Sequence, residues 1–161
     1  MSCEICPIIA NPTQDELDAH IYEGAHWRAT LRSQDQSLLG TTFITAKRHV
    51  ESLTELSPSE QAEFFSVHAT LEKAIKRAFG AQVINTSCLM NLAFKDEADK
   101  AAPHVHWHMK PRYATPVILD GATFTDPAFG SYLDGHHSRV PVTLSQTRRI
   151  VDAIQEQFGI E

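Results

Sequence analysis

The 161-residue sequence predicts an α+β fold built around an antiparallel sheet. Three observations carry this. Residues 57–80 read as one long, capped, amphipathic helix. Residues 104–110 alternate between polar and apolar as a strand does. Strand-like segments stand on both sides of the helix, without the regular strand–helix alternation of a parallel sheet. The length and the 42% hydrophobic content suit a chain with its own core. We expect a principal domain over 1–113 and an extension over 114–161 packed on the same domain.

The elements follow in order. Residues 1–12 hold Cys3, Cys6, Pro7 and Pro12 and read as an irregular lead-in. Thr13 with Glu16 three residues later is a capping box, which predicts a short helix over 13–19. Residues 20–23 and 26–32 are rich in β-branched and aromatic types and are split at Gly24, which predicts a hairpin. A polar connection over 33–38 leads to a third strand over 40–46. In the long helix, Ser57 is the N-cap, Pro58 sits at N1 and Glu60 at N3. Phe64, Val67, Leu71, Ala74 and Ile75 recur at helical spacing, and Gly80 stops the helix. Residues 82–93 read as a buried strand, 94–102 as a charged loop, and 104–110 as the alternating strand. Four prolines and scattered glycines mark 111–142 as a wrapped tail. Residues 143–158 form a last helix with Ile150, Val151, Ile154 and Phe158 on one face.

Fourteen Lys and Arg against twenty Asp and Glu leave a formal charge of −6. That sign argues against a nucleic-acid partner held by a broad basic surface, so any phosphate chemistry must come from a local site. No apolar run approaches the ~18 residues that span a bilayer, and no membrane partner is expected. The start, Met1-Ser2-Cys3-Glu4, lacks a basic stretch and an apolar run, so secretion is not expected. Three cysteines are too few for a disulfide framework and point to a reducing, cytoplasmic setting.

Nine histidines are the unusual feature, and three of them fall at alternate positions. In a strand, His104, His106 and His108 line one face, and Val105, Trp107 and Met109 face the core. Three adjacent imidazoles repel one another when charged, so at least some are neutral, hydrogen-bonded or metal-bound at pH 7. A neutral imidazole on a rigid strand can be a nucleophile, with its neighbours donating to an oxyanion. Cys3 and Cys6 form a C-x2-C pair whose two thiolates can share a metal; a redox pair or two unrelated thiols are the other readings.

The stretch His104-Val105-His106-Trp107-His108-Met109, followed by Pro111-Arg112, resembles the signature of the histidine triad (HIT) family. Lys47 to Leu53 is similar to the family's link from central strand to long helix. The resemblance covers residues 1 to about 113. It implies a HIT-like fold with about five antiparallel strands, a long and a short helix, and pairing as a homodimer. It further implies a nucleotidyl hydrolase that cleaves at an α-phosphate through a covalent nucleotidyl-histidine, with a dinucleoside polyphosphate such as diadenosine tetraphosphate as substrate. A purine-nucleoside phosphoramidase, a nucleotidyl transferase and a non-catalytic zinc-stabilised nucleotide-binding module are the alternatives.

Carried over by position, His106 is the nucleophile. His108 bonds phosphate oxygens and steadies the leaving group, and His104 orients the nucleophile or binds metal. Phe43 falls where apolar residues wall the base, and Ser33 where the ribose contact stands. Asn91 lies near a ligand-facing position. Lys100, Lys110 and Arg112 are the candidate cations for phosphate, with a structural ion pair as the equal reading of Arg112. The sequence departs from the family at Thr41, at Asp99-Lys100 and at Lys110, where an apolar residue is usual. Zinc-bearing relatives hold structural zinc by C-x2-C, a later histidine and the first triad histidine. The set implied here is Cys3, Cys6, His49 and His104.

Overall fold

A computed structural model describes residues 2–94, 101–132 and 139–160. The elements run α1 (Ile5–Ala10), α2 (Gln14–Asp18), β1 (His20–Glu23), β2 (Trp27–Leu31), β3 (Thr42–Ala46), α3 (Pro58–Phe79), β4 (Val83–Ser87), β5 (His106–Arg112), β6 (Val117–Leu119), β7 (Ala122–Phe124) and α4 (Leu144–Gln155). The first five strands make one antiparallel sheet in the order β1-β2-β3-β5-β4; β6 and β7 form a separate two-stranded ribbon. The α+β class with a five-stranded antiparallel sheet is as expected.

Alternation decides which face of the sheet packs. Trp27, Ala29, Leu31, Ile44, Ala46, Val105 and Met109 are buried in one cluster with Phe64, Val67, Leu71, Ala74, Ile75 and Phe79 of α3. The Trp107 ring stacks on Phe64 with centroids 4.6 Å apart. The capping box of α3 is complete: Ser57 Oγ accepts from the Glu60 N–H, and Glu60 accepts from the Ser57 N–H. Such a cap contributes about 1 kcal/mol. Glu60 also receives Arg48 Nε at 2.6 Å, which ties the segment after β3 to the start of α3. The Arg48 guanidinium holds the Glu60 carboxyl down at about 2. On the β1 side, α4 buries Ile150, Val151 and Ile154, and Phe158 meets Tyr22 edge-on at 6.2 Å.

Four local expectations need correction. The lead-in is not wholly irregular, because the chain turns after Cys3 into α1 and places the Cys6 N–H on Cys3 Sγ at 3.4 Å. Residues 82–93 are not one buried strand. β4 is the last strand of the sheet and half its length is open, with Val83 44% exposed, and the chain turns at Met90 (φ 49°) into a 3-10 turn over Asn91–Phe94. The triad strand begins at His106, two residues later than expected, since the Val105 N–H bonds the Val50 carbonyl outside the ladder. The tail holds the β6–β7 ribbon. Its two-residue Asp120-Gly121 turn has φ of 48° and 76°, the positive pair that Asp-Gly supplies in a tight hairpin.

The extension is tied to the sheet by a buried clamp. Arg112 donates Nε and Nη2 to the two Asp126 oxygens at 2.5 and 3.1 Å, Nη1 to Asn85 Oδ1 and the Ser131 carbonyl, and Nη2 to the Ala128 carbonyl. Further on, the Gln36 N–H bonds the Val140 carbonyl at 2.7 Å, and the Val142 N–H bonds the Ser33 carbonyl at 3.0 Å. No helix among the described residues is long and apolar enough to cross a membrane.

Candidate active site and metal centre

The face of the sheet away from α3 carries the triad. Pairing puts Thr45 opposite His106 and Phe43 opposite His108 on β3, with Ser87 opposite His108 on β4. The His106 and His108 rings stand 5.1 Å apart, and Phe43 meets both edge-on at 5.9 and 4.8 Å. Phe43 therefore floors the two histidines.

The tautomer of His106 follows from one hydrogen bond. Its Nδ1 lies 2.8 Å from the His104 carbonyl. A carbonyl only accepts, so Nδ1 carries the proton and Nε2 keeps its lone pair. That is the form in which imidazole attacks. His108 differs: burial first, and then the positive groups His106, Lys110 and Arg32, push its pKa down to about 4. At neutral pH it is an uncharged ring. Its Nδ1 is buried without a partner among the described residues.

His104 does not stand in the row with its neighbours. Its ring is buried and turned toward the N-terminus, with Nε2 2.7 Å from the Ala46 carbonyl. Nε2 is thus the donor, and the Nδ1 lone pair points at sulfur, 3.3 Å from Cys3 Sγ and 3.6 Å from Cys6 Sγ. His49 does the same in outline: Nε2 meets Glu51 Oε1 at 3.2 Å, and Nδ1 lies 3.4 Å from Cys6 Sγ. The four ligand atoms of Cys3, Cys6, His49 and His104 all lie within 4.8 Å of one another.

These residues fit a tetrahedral zinc. Zn–S of ~2.3 Å and Zn–N of ~2.0–2.1 Å give tetrahedron edges of roughly 3.3–3.8 Å. The sulfur–nitrogen separations of 3.3, 3.4 and 3.6 Å fall in that interval. Each histidine already spends its other nitrogen on an acceptor, which fixes the ligating tautomer. Burial opposes ionisation of both thiols. Hydrogen bonds from the Cys6 backbone and thiol outweigh it at Cys3 and lower that pKa, whereas burial and the neighbouring Cys3 raise Cys6. A divalent cation between the sulfurs removes the opposition to the second thiolate.

The remaining expected residues scatter. Ser33 follows β2, half-buried under the tail through its carbonyl bond to Val142. Asn91 is exposed at the start of the 3-10 turn. Lys100, with Asp99, lies outside the described residues. Of the two readings of Arg112, phosphate cation and structural ion pair, the structure shows the ion pair: its five N–H donors match the five contacts to Asp126, Asn85, Ala128 and Ser131, and none is left for a substrate. Sequence reasoning missed Glu51 and Asp126. Glu51 stands two residues after His49, a usable signal for a carboxylate behind a metal histidine. Asp126 is fourteen residues from Arg112 and carries no such signal.

Residues 15–115 match the model of the HIT domain. Protein hit of Bacillus subtilis is 30% identical over 112 residues, which cover 70% of this chain and 72% of that protein. A HIT family protein from Bacillus anthracis shares the fold at a TM-score of 0.57 and 28% identity, over 83% of this chain and 82% of its own. A zinc-bound histidine triad family protein from Mycobacterium smegmatis superposes at a TM-score of 0.64 and 22% identity, over 97% of this chain and 95% of that one.

Proposed function

The chain belongs to the histidine triad (HIT) family, whose members bind nucleotides and act as hydrolases or transferases, and from that premise we propose that it is a nucleotidyl hydrolase with His106 as its nucleophile. The proposed substrate is a dinucleoside polyphosphate such as diadenosine tetraphosphate. The observation that carries this reading is the bond from His106 Nδ1–H to the His104 carbonyl, which leaves the Nε2 lone pair for attack.

In the proposed cycle, Nε2 of His106 attacks the α-phosphorus, and the bond to the leaving phosphate oxygen breaks. A neutral His108 donates a hydrogen bond to the phosphate oxygens as charge develops there, which suits a ring that burial keeps unprotonated at neutral pH. Water then attacks the nucleotidyl-imidazole, giving the mononucleotide and returning His106 to its starting tautomer. Phe43 supports one side of the bound nucleotide. Structural zinc on Cys3, Cys6, His49 and His104 is part of the same proposal. With zinc bound, those four residues would hold His104 in place, and the His104 carbonyl would in turn orient the ring of His106.

A homodimer is proposed through β4. The strand's outer edge is open, and beside it Leu53, Leu56, Phe64, Phe65, His68 and Trp107 line an apolar cavity of about 480 Å3. Phe65 is 71% exposed there. A cytoplasmic setting, where thiols stay reduced, suits the zinc set.

Wild type incubated with diadenosine tetraphosphate and quenched in base should carry a nucleotide adduct on the His106 peptide by mass spectrometry, and His106→Ala should lose both adduct and turnover. Normal turnover by His106→Ala would sink the reading. Faster turnover of adenosine phosphoramidate than of diadenosine tetraphosphate would redirect it to P–N cleavage.

A further inference from the structure

On the open face of β5, the side chain next after His106 and His108 is Lys110. It is half-buried, and among the described residues no carboxylate or carbonyl bonds its ammonium. Lysine is rarely withdrawn from water without a partner. Arg32 comes from the end of β2 and leans over Phe43, with its guanidinium carbon 5.7 Å from the ring centre. The Arg32 main chain pairs with Thr41, and Thr41 extends the β3 register to stand opposite Lys110. Among the described residues the acidic group set against this pair is Asp35, which is engaged with Arg32 Nη1 at 3.2 Å and the Ser37 and Val140 N–H groups at 3.1 and 3.4 Å. Burial and then the Arg32 charge push the Lys110 pKa down, and Asp35 offsets this only in part.

The far end of this face is closed. Residues 126–131 cover Arg112 through the clamp, and 140–142 cross the 33–36 segment. Lys110 follows His106 and His108 along one face of β5, and its charge is close enough to His108 to help hold that ring neutral. Four steps of the strand put the His106 and Lys110 positions about 13 Å apart along β5, a gap that a long lysine side chain and an extended phosphate-bearing ligand can bridge together.

We propose that Lys110, backed by Arg32, forms a second anion subsite on the triad face, which takes a phosphate of the substrate other than the one His106 attacks. The inference rests on the nucleotide reading above and adds a specificity-determining residue to it: Lys110 selects ligands with a phosphate beyond the one under attack. That second phosphate belongs either to a polyphosphate chain or to a phosphorylated ribose, and both present the same dianionic oxygens to an ammonium.

Calorimetric titration of the zinc-loaded protein tests this with adenosine monophosphate, α,β-methylene-ADP and adenosine 3′,5′-bisphosphate. Wild type should bind one of the two bisphosphorylated ligands about tenfold more tightly than the monophosphate, and the preferred one identifies the source. Lys110→Met should lose that preference while keeping monophosphate affinity within about twofold, and Lys110→Arg should retain it. Thermal melts should superpose for all three proteins. Equal wild-type affinity for all ligands, or an undiminished preference in Lys110→Met, would overturn the subsite while leaving the nucleotide reading intact. Failure of every ligand to bind would overturn both.

Discussion

Arg112→Met separates two roles for one guanidinium. A phosphate ligand, when removed, weakens substrate binding and leaves the fold alone. A clamp, when removed, does the reverse. In the structure the Arg112 and Asp126 side chains are 4% and 1% exposed. Removing the cation leaves a buried Asp126 carboxylate with only the N–H groups of Tyr113 and Ala128, and strands the Ala128 and Ser131 carbonyls. Breaking a buried pair from one side costs about 3–5 kcal/mol. For a domain of this size each kcal/mol lowers Tm by about 2–4 °C, so the expected drop is about 6–20 °C. Asp126→Asn should fall in the same range. Because the double variant Arg112→Met/Asp126→Leu leaves no orphaned charge, it should lose less than the two singles summed. Urea denaturation and thermal melts supply the energies, and kcat/KM below the melting range should stay within about threefold of wild type. A stability loss under 1 kcal/mol, or a KM rise of more than tenfold in a fully folded Arg112→Met, would refute the clamp.

Three further outcomes follow from the same geometry. Cys6→Ser should cut the zinc content, read by elemental analysis, well below one ion per chain; at free zinc of 100 Kd, the intact site should stabilise the protein by about 2.7 kcal/mol over its chelated form. The carboxyl of Glu60 is held down at about 2, so its contribution is complete above the ordinary carboxylate value of 4.5 and is lost as pH falls from there through about 2; the stability gap between wild type and Glu60→Gln, measured by urea titration, should close across that window. His108 is displaced the other way in charge terms, because its pKa of about 4 disfavours the cation. Its contribution is complete above 6.5 and fades as pH falls from 6.5 to about 4, and its ring proton in NMR should titrate near 4, not near 6.5.

The elements best read from sequence are those whose cause is local. The Ser57-Pro58-Ser59-Glu60 start of α3 and its Gly80 stop are set by backbone groups within one turn, and both stand where the pattern puts them, with Gly80 at φ 74°. The Asp120-Gly121 hairpin was equally local, but three-residue strands give too little alternation to register beside four prolines. The triad's face was legible for the same reason that its exact start was not. Alternation is a property of the chain, whereas the first ladder bond depends on where Val50 and Ala46 pass.

The sequence alone determined the class of fold and the shared face of His106 and His108, because both depend on a period that a short segment carries by itself; the set Cys3, Cys6, His49 and His104 was implied by the family resemblance, and only the fold brings its ligand atoms together. Tertiary structure alone decided which nitrogen of each histidine is free, since the acceptors that settle it, the carbonyls of Ala46 and His104, are placed by strand pairing and by the turn before β5. It also decided between Arg112 and Lys110. Both are cations on the same side of one strand, two residues apart. The returning tail brings Asp126 onto the first in a bidentate pair, while among the described residues no side chain bonds the second, and no local pattern encodes where a tail returns.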